Sequence, residues 1–217
     1  DHLKDKDATE LEKSIYAIYQ SQENSSFDSI RRLLDGSNRN SYNDCSVIEQ
    51  EYIELIENII TNNGILDSSS LSSNDEIYQQ WVTGKTSLYD YLHYAIGKGA
   101  VSLSALDISE VFLGSDEIYS AMTEFILLEL SETSSFSKIV YTSMLEQGLI
   151  TGDQICMLLY DQNVFEKDGD YENLVNGVID AYNFICIKIQ NLEITPAMLA
   201  LDPCSGSLVA TDPKTGE

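Results

Sequence analysis

The chain has 217 residues, 43% of them hydrophobic, with 36 acidic against 12 basic residues and a formal net charge of −24. This length and composition can bury a sizeable core, whereas the negative charge excludes nucleic acid or an anionic membrane surface as a partner. The sequence has neither an apolar run of about 18 residues nor a basic and apolar leader, so we expect these residues neither to span a membrane nor to direct secretion.

The first elements are predicted to be helices, because apolar residues recur at spacings of three and four and strand-like alternation is hard to find. A possible capping pair, Asp7 and Glu10, predicts the first helix, and a short separate helix is expected around residues 29–34, stopping at Gly36. A further helix carries the wide apolar stripe of residues 47–60 and ends at a glycine stop.

Further along the chain, two capping boxes at 73–76 and 151–154 predict helix starts, and the stretches after them carry core-type apolar stripes. The longest predicted helix covers residues 171–189, which at 1.5 Å per residue gives about 30 Å. Thr195, followed by proline, predicts the cap of one short last turn.

A recurring pattern links these helices: a small polar or glycine-containing stop, an apolar residue, and then the cap of the next helix. Four segments have this pattern, residues 61–66, 97–101, 146–150 and 161–165. The tetrapeptide Asp-Glu-Ile-Tyr also occurs twice, at 75–78 and 116–119. Its recurrence fits either a repeat of stacked helical pairs or the reuse of a favourable helix start.

The pattern changes near the end of the chain, where Pro203 and Gly206 interrupt the helical spacing. Residues 207–211 predict a strand, followed by a turn at 212–216. A lone strand cannot form a sheet, and nothing upstream predicts a partner strand. We therefore expect the partner in sequence beyond this chain, and the fold class to be all-α, an irregular multi-helix bundle with a short C-terminal strand stub.

Three short motifs imitate the active site of a serine transpeptidase: S-x-x-K from Ser135 to Lys138, S-x-N at 72–74 and K-T-G at 214–216. Such patterns arise by chance in a serine-rich chain, and here the S-x-N precedes the S-x-x-K instead of coming after it. The K-T-G also lies in a turn, whereas the catalytic motif belongs to a strand. We therefore predict no catalytic site from these residues.

Two other motifs resemble ligand loops. Residues 84–87 (GKTS) match the tail of a phosphate-binding loop, but Gln79 occupies the position of the first glycine, so a break between helices is expected. A calcium loop would use the side chains of Asp161, Asn163, Asp168 and Asp170. Phe165 and Glu166 occupy positions that need an oxygen ligand and a glycine, which leaves at most a weak surface cation site.

Few side chains remain for catalysis. His93 is expected to flank a helix stripe, and Cys156 and Cys186 lie in apolar runs typical of buried thiols. The tyrosine-rich helices are interpreted as packing surfaces, with a carbohydrate or peptide groove as the alternative. The sequence thus predicts no catalytic residue, no metal ligand and no cofactor site.

The end of the chain resembles a known family. Residues 205–217 have a small-residue lead, an apolar strand and a D-P-x-T-G-E turn, and resemble the first strand and turn of the transpeptidase domain in penicillin-binding proteins. Residues 191–207 resemble class B penicillin-binding proteins of clostridia-like bacteria, in which a long helical segment is inserted just before that domain. The preceding helices, including residues 116–119, are similar to that insert.

The resemblance implies a parent chain that cross-links peptidoglycan as a D,D-transpeptidase with a serine acyl-enzyme. That parent would face outward from the cell membrane, held by an N-terminal anchor missing here. This chain would supply a noncatalytic helical insertion domain, residues 1–200, and the start of the transpeptidase domain, residues 201–217. No catalytic residue carries over, because the family's catalytic region is absent.

The partners implied are the catalytic domain of the same parent and cell-wall synthesis or division proteins. Two alternatives stay open. One is a free-standing acidic helical interaction module whose strand-like tail is incidental. The other is a small serine acyltransferase that uses Ser135, Lys138 and Lys214.

Overall fold

The computed structural model describes residues 8–108 and 114–195, and these residues confirm an all-α fold. The strand predicted at 207–211 and the turn predicted after Thr195 lie outside them. The helices are α1 (Glu10–Leu34), α2 (Val47–Asn62), α3 (Glu76–Val82), α4 (Leu88–Gly97), α5 (Ser115–Glu132), α6 (Ser134–Glu146), α7 (Gly152–Asp161), α8 (Gly169–Val175) and α9 (Ala181–Gln190).

The chain divides into two compact units between Ile150 and Thr151. Unit 1 holds α1 to α6 and unit 2 holds α7 to α9. The sequence did not predict this division, since the same helix stop occurs on both sides of it. The boundary expected between residues 200 and 201 lies outside the described residues.

Helix α2 is the centre of unit 1, where it packs against α1, α5 and α6. Tyr52, Ile56, Ile59 and Ile60 of the predicted stripe are buried, whereas Val47 at its start is 75% exposed. Ile53, which the stripe did not include, is also fully buried. The core also contains one polar contact, because the buried Tyr52 hydroxyl donates a hydrogen bond to Ser26 Oγ at 2.8 Å. This bond satisfies two polar groups that would otherwise be costly to bury.

Helix α1 is a single helix of 25 residues, so the prediction of a separate short helix at 29–34 was wrong. Its polar middle turns do not break it, because they face serines of α6. Tyr19 donates a hydrogen bond to Ser137 Oγ at 3.0 Å, and Gln22 donates one to Ser143 Oγ at 3.3 Å. The helix therefore continues through a stretch that has too few apolar residues to show helical periodicity.

The predicted caps have mixed outcomes. The capping box at 151–154 is confirmed, with both of its hydrogen bonds present. The box predicted at 73–76 was wrong, because α3 begins after Asp75 and not after the serine. Helix α1 begins after Thr9, whose hydroxyl accepts the amide of the third helical residue, and Asp7 lies outside the described residues.

The two Asp-Glu-Ile-Tyr segments start helices in different registers. Asp75 is the N-cap of α3, whereas Asp116 lies inside the first turn of α5. The cap of α5 is Gly114, whose backbone N–H donates to Glu117 Oε2 at 2.7 Å. The difference in register favours reuse of a good helix start over a structural repeat.

Eight of the nine helices in the described residues end in the same way. The second residue beyond each of them has a positive φ: Gly36, Gly64, Gly84, Gly99, Gly148, Asn163, Gly177 and Leu192. In seven, the next backbone N–H donates to the carbonyl five residues back, as Ile65 does to Ile60 at 2.9 Å. This is the Schellman motif, and it satisfies a carbonyl that the helix end leaves unpaired.

The four predicted stop segments are all of this type, and residues 83–87, 176–180 and 191–195 add three more. In five of the stops, one of the two residues after the left-handed position is a buried apolar residue: Ile65, Ala100, Ile150, Phe165 and Ile194. Two stops of unit 1 also pair with each other through an isolated antiparallel bridge between Leu66 and Val101. These stops therefore reverse the chain and also contribute residues to the core.

Unit 2 corrects the prediction of one long helix over residues 171–189. Gly177, with a φ of +67°, ends α8, and Asp180 caps α9 by accepting the Asn183 N–H at 2.8 Å. The reversal lets α7 pack against both α8 and α9. The core of unit 2 contains Cys156, Tyr160, Phe165, Leu174, Phe184 and Ile194.

Two glycines at the end of α4 allow the cost of a left-handed backbone to be measured without a steric clash. Gly99 has a φ of +70°, Gly97 is the last helical residue, and an added Cβ meets nothing within 4 Å at either position. Gly99→Ala should destabilise the protein by about 1–2 kcal/mol, the cost of a left-handed L-residue. Gly97→Ala should be neutral or stabilising by up to about 1 kcal/mol. Urea denaturation followed by circular dichroism measures both, and equal effects would contradict the assignment of the stop.

Candidate functional site

The least expected side chain of the structure is Lys188 of α9, which is fully buried. Its ammonium nitrogen lies 2.8 Å from Asp168 Oδ2, 2.9 Å from Glu193 Oε2 and 3.1 Å from Asp170 Oδ2. A buried ammonium has to be paired and hydrogen-bonded, because desolvation of an isolated charge costs far more than folding can supply. We call these four residues the lysine cluster.

Each member of the lysine cluster is placed by a different local feature. Lys188 lies one helical turn after Phe184, so both are on the inner face of α9. Asp168 is the N-cap of α8 and Asp170 lies in its first turn. Glu193 comes directly after the left-handed Leu192 that ends α9. One ammonium therefore joins the start of α8, the body of α9 and the segment after α9.

Aromatic rings enclose the same ammonium. Its nitrogen lies 5.4 Å from the ring centre of Phe165, 5.6 Å from that of Phe184 and 5.9 Å from that of Tyr160. The faces of such rings attract cations. The Tyr160 hydroxyl also donates to Asp168 Oδ1 at 2.9 Å, which orients the carboxylate that pairs with Lys188. The cluster is thus a polar centre within an aromatic core.

The carboxylates keep Lys188 charged. Burial by itself lowers the pKa of Lys188, but the hydrogen bonds to the three carboxylates outweigh burial and raise that pKa above the ordinary lysine value. Burial likewise opposes ionisation of Asp168, yet the hydrogen bonds that it accepts, the one from Lys188 foremost, hold its pKa below the usual range. Near neutral pH Lys188 is therefore protonated and Asp168 is ionised.

These two shifts define the pH range over which the lysine cluster stabilises unit 2. The contribution of Asp168 is present above the ordinary carboxyl pKa of about 3.9 and is lost as pH falls through its lowered value. The contribution of Lys188 is complete below the ordinary lysine pKa of about 10.4 and is lost only as pH rises through its raised value. Across the neutral range the cluster is intact, so its role is to hold the chain in place.

The held segment is the last part of the described chain. Ile194 is 6% exposed and packs in the core of unit 2, directly after Glu193 of the lysine cluster. Leu192 adopts a φ of +59°, which is unfavourable for a residue with a side chain, between Lys188 and Ile194. The chain is therefore anchored on both sides of this turn before it continues beyond Thr195.

The sequence analysis missed Lys188, although a signal was present. Lys188 is the one charge in the otherwise apolar run of residues 184–189, one turn after Phe184. A single charge on the apolar stripe of a helix has to be either exposed or paired in the core. Its partners could not be identified from the sequence, because Asp168 lies 20 residues away and its position depends on the helix reversal.

The aspartates of the predicted calcium loop pair with lysine side chains. Asp168 and Asp170 pair with Lys188, and Asp161 accepts from Lys167 at 3.4 Å. Asn163 has a positive φ and ends α7. Within the described residues, no group of three or more His, Cys, Asp or Glu side chains is arranged to hold a metal ion.

Two of the three motifs that imitate a transpeptidase lie in the described residues, at exposed positions. Ser135 and Lys138 are exposed in the first turns of α6, while Phe136 between them is buried. Residues 72–74 form an exposed turn before α3. Lys214 lies outside the described residues, so its position relative to Ser135 is not defined.

The remaining residues singled out in the sequence lie in turns, caps or packed positions. Gly84 ends α3 with a φ of +69° and Ser87 caps α4, so residues 84–87 form the break between helices that was expected. His93 packs against the rings of Tyr89 and Tyr119, with ring centres 4.1 and 4.0 Å away. Cys156 is buried, whereas Cys186 is only half-buried.

Comparisons with protein-family models, with curated proteins and with solved structures find no match to this chain. In the described ranges, no helix combines the length and the apolar character that crossing a bilayer requires. The lysine cluster and the surfaces around it are therefore interpreted on their own geometry.

Lys188→Met should destabilise unit 2 selectively, by about 3 kcal/mol, because three carboxylates lose their shared cation. Lys13→Met is the matched control: Lys13 pairs with the exposed Glu10, and the substitution should change stability by less than about 0.5 kcal/mol. Amide hydrogen exchange should show faster exchange in α8 and α9 and unchanged exchange in α2. Unchanged protection of α8 and α9 would contradict the anchoring role.

Proposed function

We propose that this chain is the noncatalytic helical domain that precedes the transpeptidase domain of a class B penicillin-binding protein, and that it positions that domain. The proposal depends on the resemblance of residues 191–217 to the segment that opens the transpeptidase domain. The observation that carries it is that this segment begins inside the core of unit 2, where Glu193 pairs with Lys188 and Ile194 is buried. A connection fixed in this way can transmit orientation to the next domain.

A second observation supports docking next to the same connection. Helix α9 is apolar on nearly all sides, although only its face with Phe184 and Lys188 lies in the core. Tyr182 is 76% exposed, Leu192 is 78% exposed, and Val178 just before the helix is 69% exposed. A helix with this composition is normally covered by protein. The domain that would begin at residue 201 is the nearest candidate to cover it.

In this proposal the chemistry belongs to the parent chain. The parent would form peptidoglycan cross-links through a serine acyl-enzyme and would be inhibited by penicillin, on the outer side of the cell membrane. The exposed motif of Ser135 and Lys138 has no catalytic role. Cell-wall synthesis or division proteins would be further partners of the acidic helical surface.

The alternative is a free-standing acidic interaction module. The exposed apolar residues around α9 suit that function equally well, because any protein with a complementary surface could cover them. The two functions differ in whether a transpeptidase domain continues the chain after Glu217 and in whether the apolar surface contacts a domain of the same chain.

The reading frame that contains this chain should continue beyond Glu217 into a second strand and, within several dozen residues, an S-x-x-K motif at a helix start. Fluorescent penicillin should label the parent at that serine and should leave residues 1–217 unlabelled. A stop codon after Glu217 would overturn the proposal. Labelling of this chain that disappears in Ser135→Ala would establish the acyltransferase alternative instead.

In the parent, Tyr182→Asp should loosen the helical domain from the catalytic domain, because it places a charge in the contact. Limited proteolysis should then cut faster around residues 196–206, while penicillin acylation continues. Leu128→Asp is the control, since Leu128 is 58% exposed on α5 of unit 1 and should leave the cutting rate unchanged. An unchanged rate with Tyr182→Asp would favour the free-standing module.

A further inference from the structure

Unit 1 contains a cavity of about 500 Å³ beside α2, α3 and the start of α4. This volume is in the range of small-molecule sites. Four aromatic side chains line it, Tyr42, Tyr78, Trp81 and Tyr91. The sequence suggested a groove on the tyrosine-rich helices only as an alternative and could not locate it, because the lining comes from several separate segments.

The walls of the cavity are held in place without a ligand. The indole of Trp81 stacks on the ring of Tyr91, with centres 4.2 Å apart and planes inclined by 2°. Asn43 bonds twice to the opposite loop: its side-chain amide donates to the Thr83 carbonyl at 2.9 Å and its backbone N–H to the Gly84 carbonyl at 3.0 Å. A Cβ on Gly84 would lie 2.5 Å from Asn43 Oδ1, so the two loops meet as closely as glycine permits.

One charged side chain, Glu57 of α2, belongs to the described lining. Trp81 Nε1 donates a hydrogen bond to Glu57 Oε1 at 2.9 Å, which orients both the indole and the carboxylate. Glu57 Oε2 accepts no hydrogen bond from the described residues, and none of their cationic groups lies within 4.0 Å of Glu57. Burial raises the pKa of Glu57 despite the bond from Trp81. This half-buried carboxylate therefore has one neutral donor and no cationic partner among the described residues.

An oriented carboxylate beside aromatic rings favours a positively charged ligand. Anions are excluded, since no basic side chain belongs to the described lining and the chain carries a net charge of −24. A neutral saccharide could pack on the rings but would leave the charge of Glu57 uncompensated. An organic cation compensates that charge and is also attracted by the face of an indole, the best of the aromatic rings for cations.

We propose that this cavity binds an organic ammonium group, with Glu57 as its counter-ion and Trp81 as its aromatic wall. The ligand is a small alkylammonium compound, or an ammonium group on a larger molecule, whose apolar substituents contact the tyrosine rings. The proposal is independent of the parent chain proposed above, because it concerns unit 1 and requires no residue beyond the described ones.

Trp81 is the only tryptophan of the chain, so its fluorescence reports on this cavity directly. Choline added to the 217-residue chain at constant ionic strength should change the emission with saturation. Its uncharged isostere 3,3-dimethylbutan-1-ol should bind at least about tenfold more weakly. Equal binding of both compounds would overturn the proposal in favour of an apolar pocket. Binding of N-acetylglucosamine without choline would overturn it in favour of a saccharide site.

Glu57→Gln removes the charge but keeps an oxygen that can accept the Trp81 N–H, so the fold should be preserved. Choline affinity should fall by at least about tenfold, while the weak affinity for the isostere stays the same. Glu51→Gln on the same helix is the control and should leave both affinities unchanged. Unchanged choline affinity in Glu57→Gln, with a circular dichroism spectrum like that of the unsubstituted chain, would overturn the assignment of Glu57.

Discussion

The chain reverses after eight of the nine helices in its described residues through a single left-handed residue placed two positions beyond the helix end. That constraint determines most of the architecture. Helices of seven to ten residues, such as α3, α4 and α8, are too short to persist alone in water. The stop satisfies a carbonyl of the last turn, and at α4 it also places Ala100 in the core. A reversal of this kind contributes tertiary contacts that keep a short helix folded.

A charged side chain away from solvent is paired in unit 2 but has no counter-ion among the described residues of unit 1. In unit 2, Lys188 is surrounded by three carboxylates and three aromatic rings, so the ammonium is fully compensated and has a structural role. In unit 1, Glu57 has a single neutral donor, Trp81, beside an open cavity. Both arrangements reflect the cost of burying a charge. Compensation within the chain fits an anchor, whereas the lack of a counter-ion for Glu57 among the described residues is the basis of the ligand proposed for the cavity.

If the chain precedes a transpeptidase domain, as proposed, the lysine cluster would fix the connection to that domain. A buried ion pair is weak support for stability, since an apolar replacement of similar volume is often as stable. Its value here is geometric: Lys188 fixes Glu193 and so the backbone directly before Thr195. The unfavourable φ of Leu192 fits that interpretation, because a glycine there would form the same turn with less strain and less definition.

The helical class, the stripe of α2, the box at 151–154 and the four stops could be predicted from the residues alone, because these features depend on side chains within one or two turns of each other. Prediction failed where a distant partner decides the outcome. The polar middle of α1 is helical because serines of α6 bond to it. Lys188 is buried because helix reversal brings Asp168 to it, and the cavity of Glu57 exists because separate loops meet at Gly84. Local spacing encodes helices and their ends, whereas the pairing of charges depends on tertiary contacts that spacing does not contain.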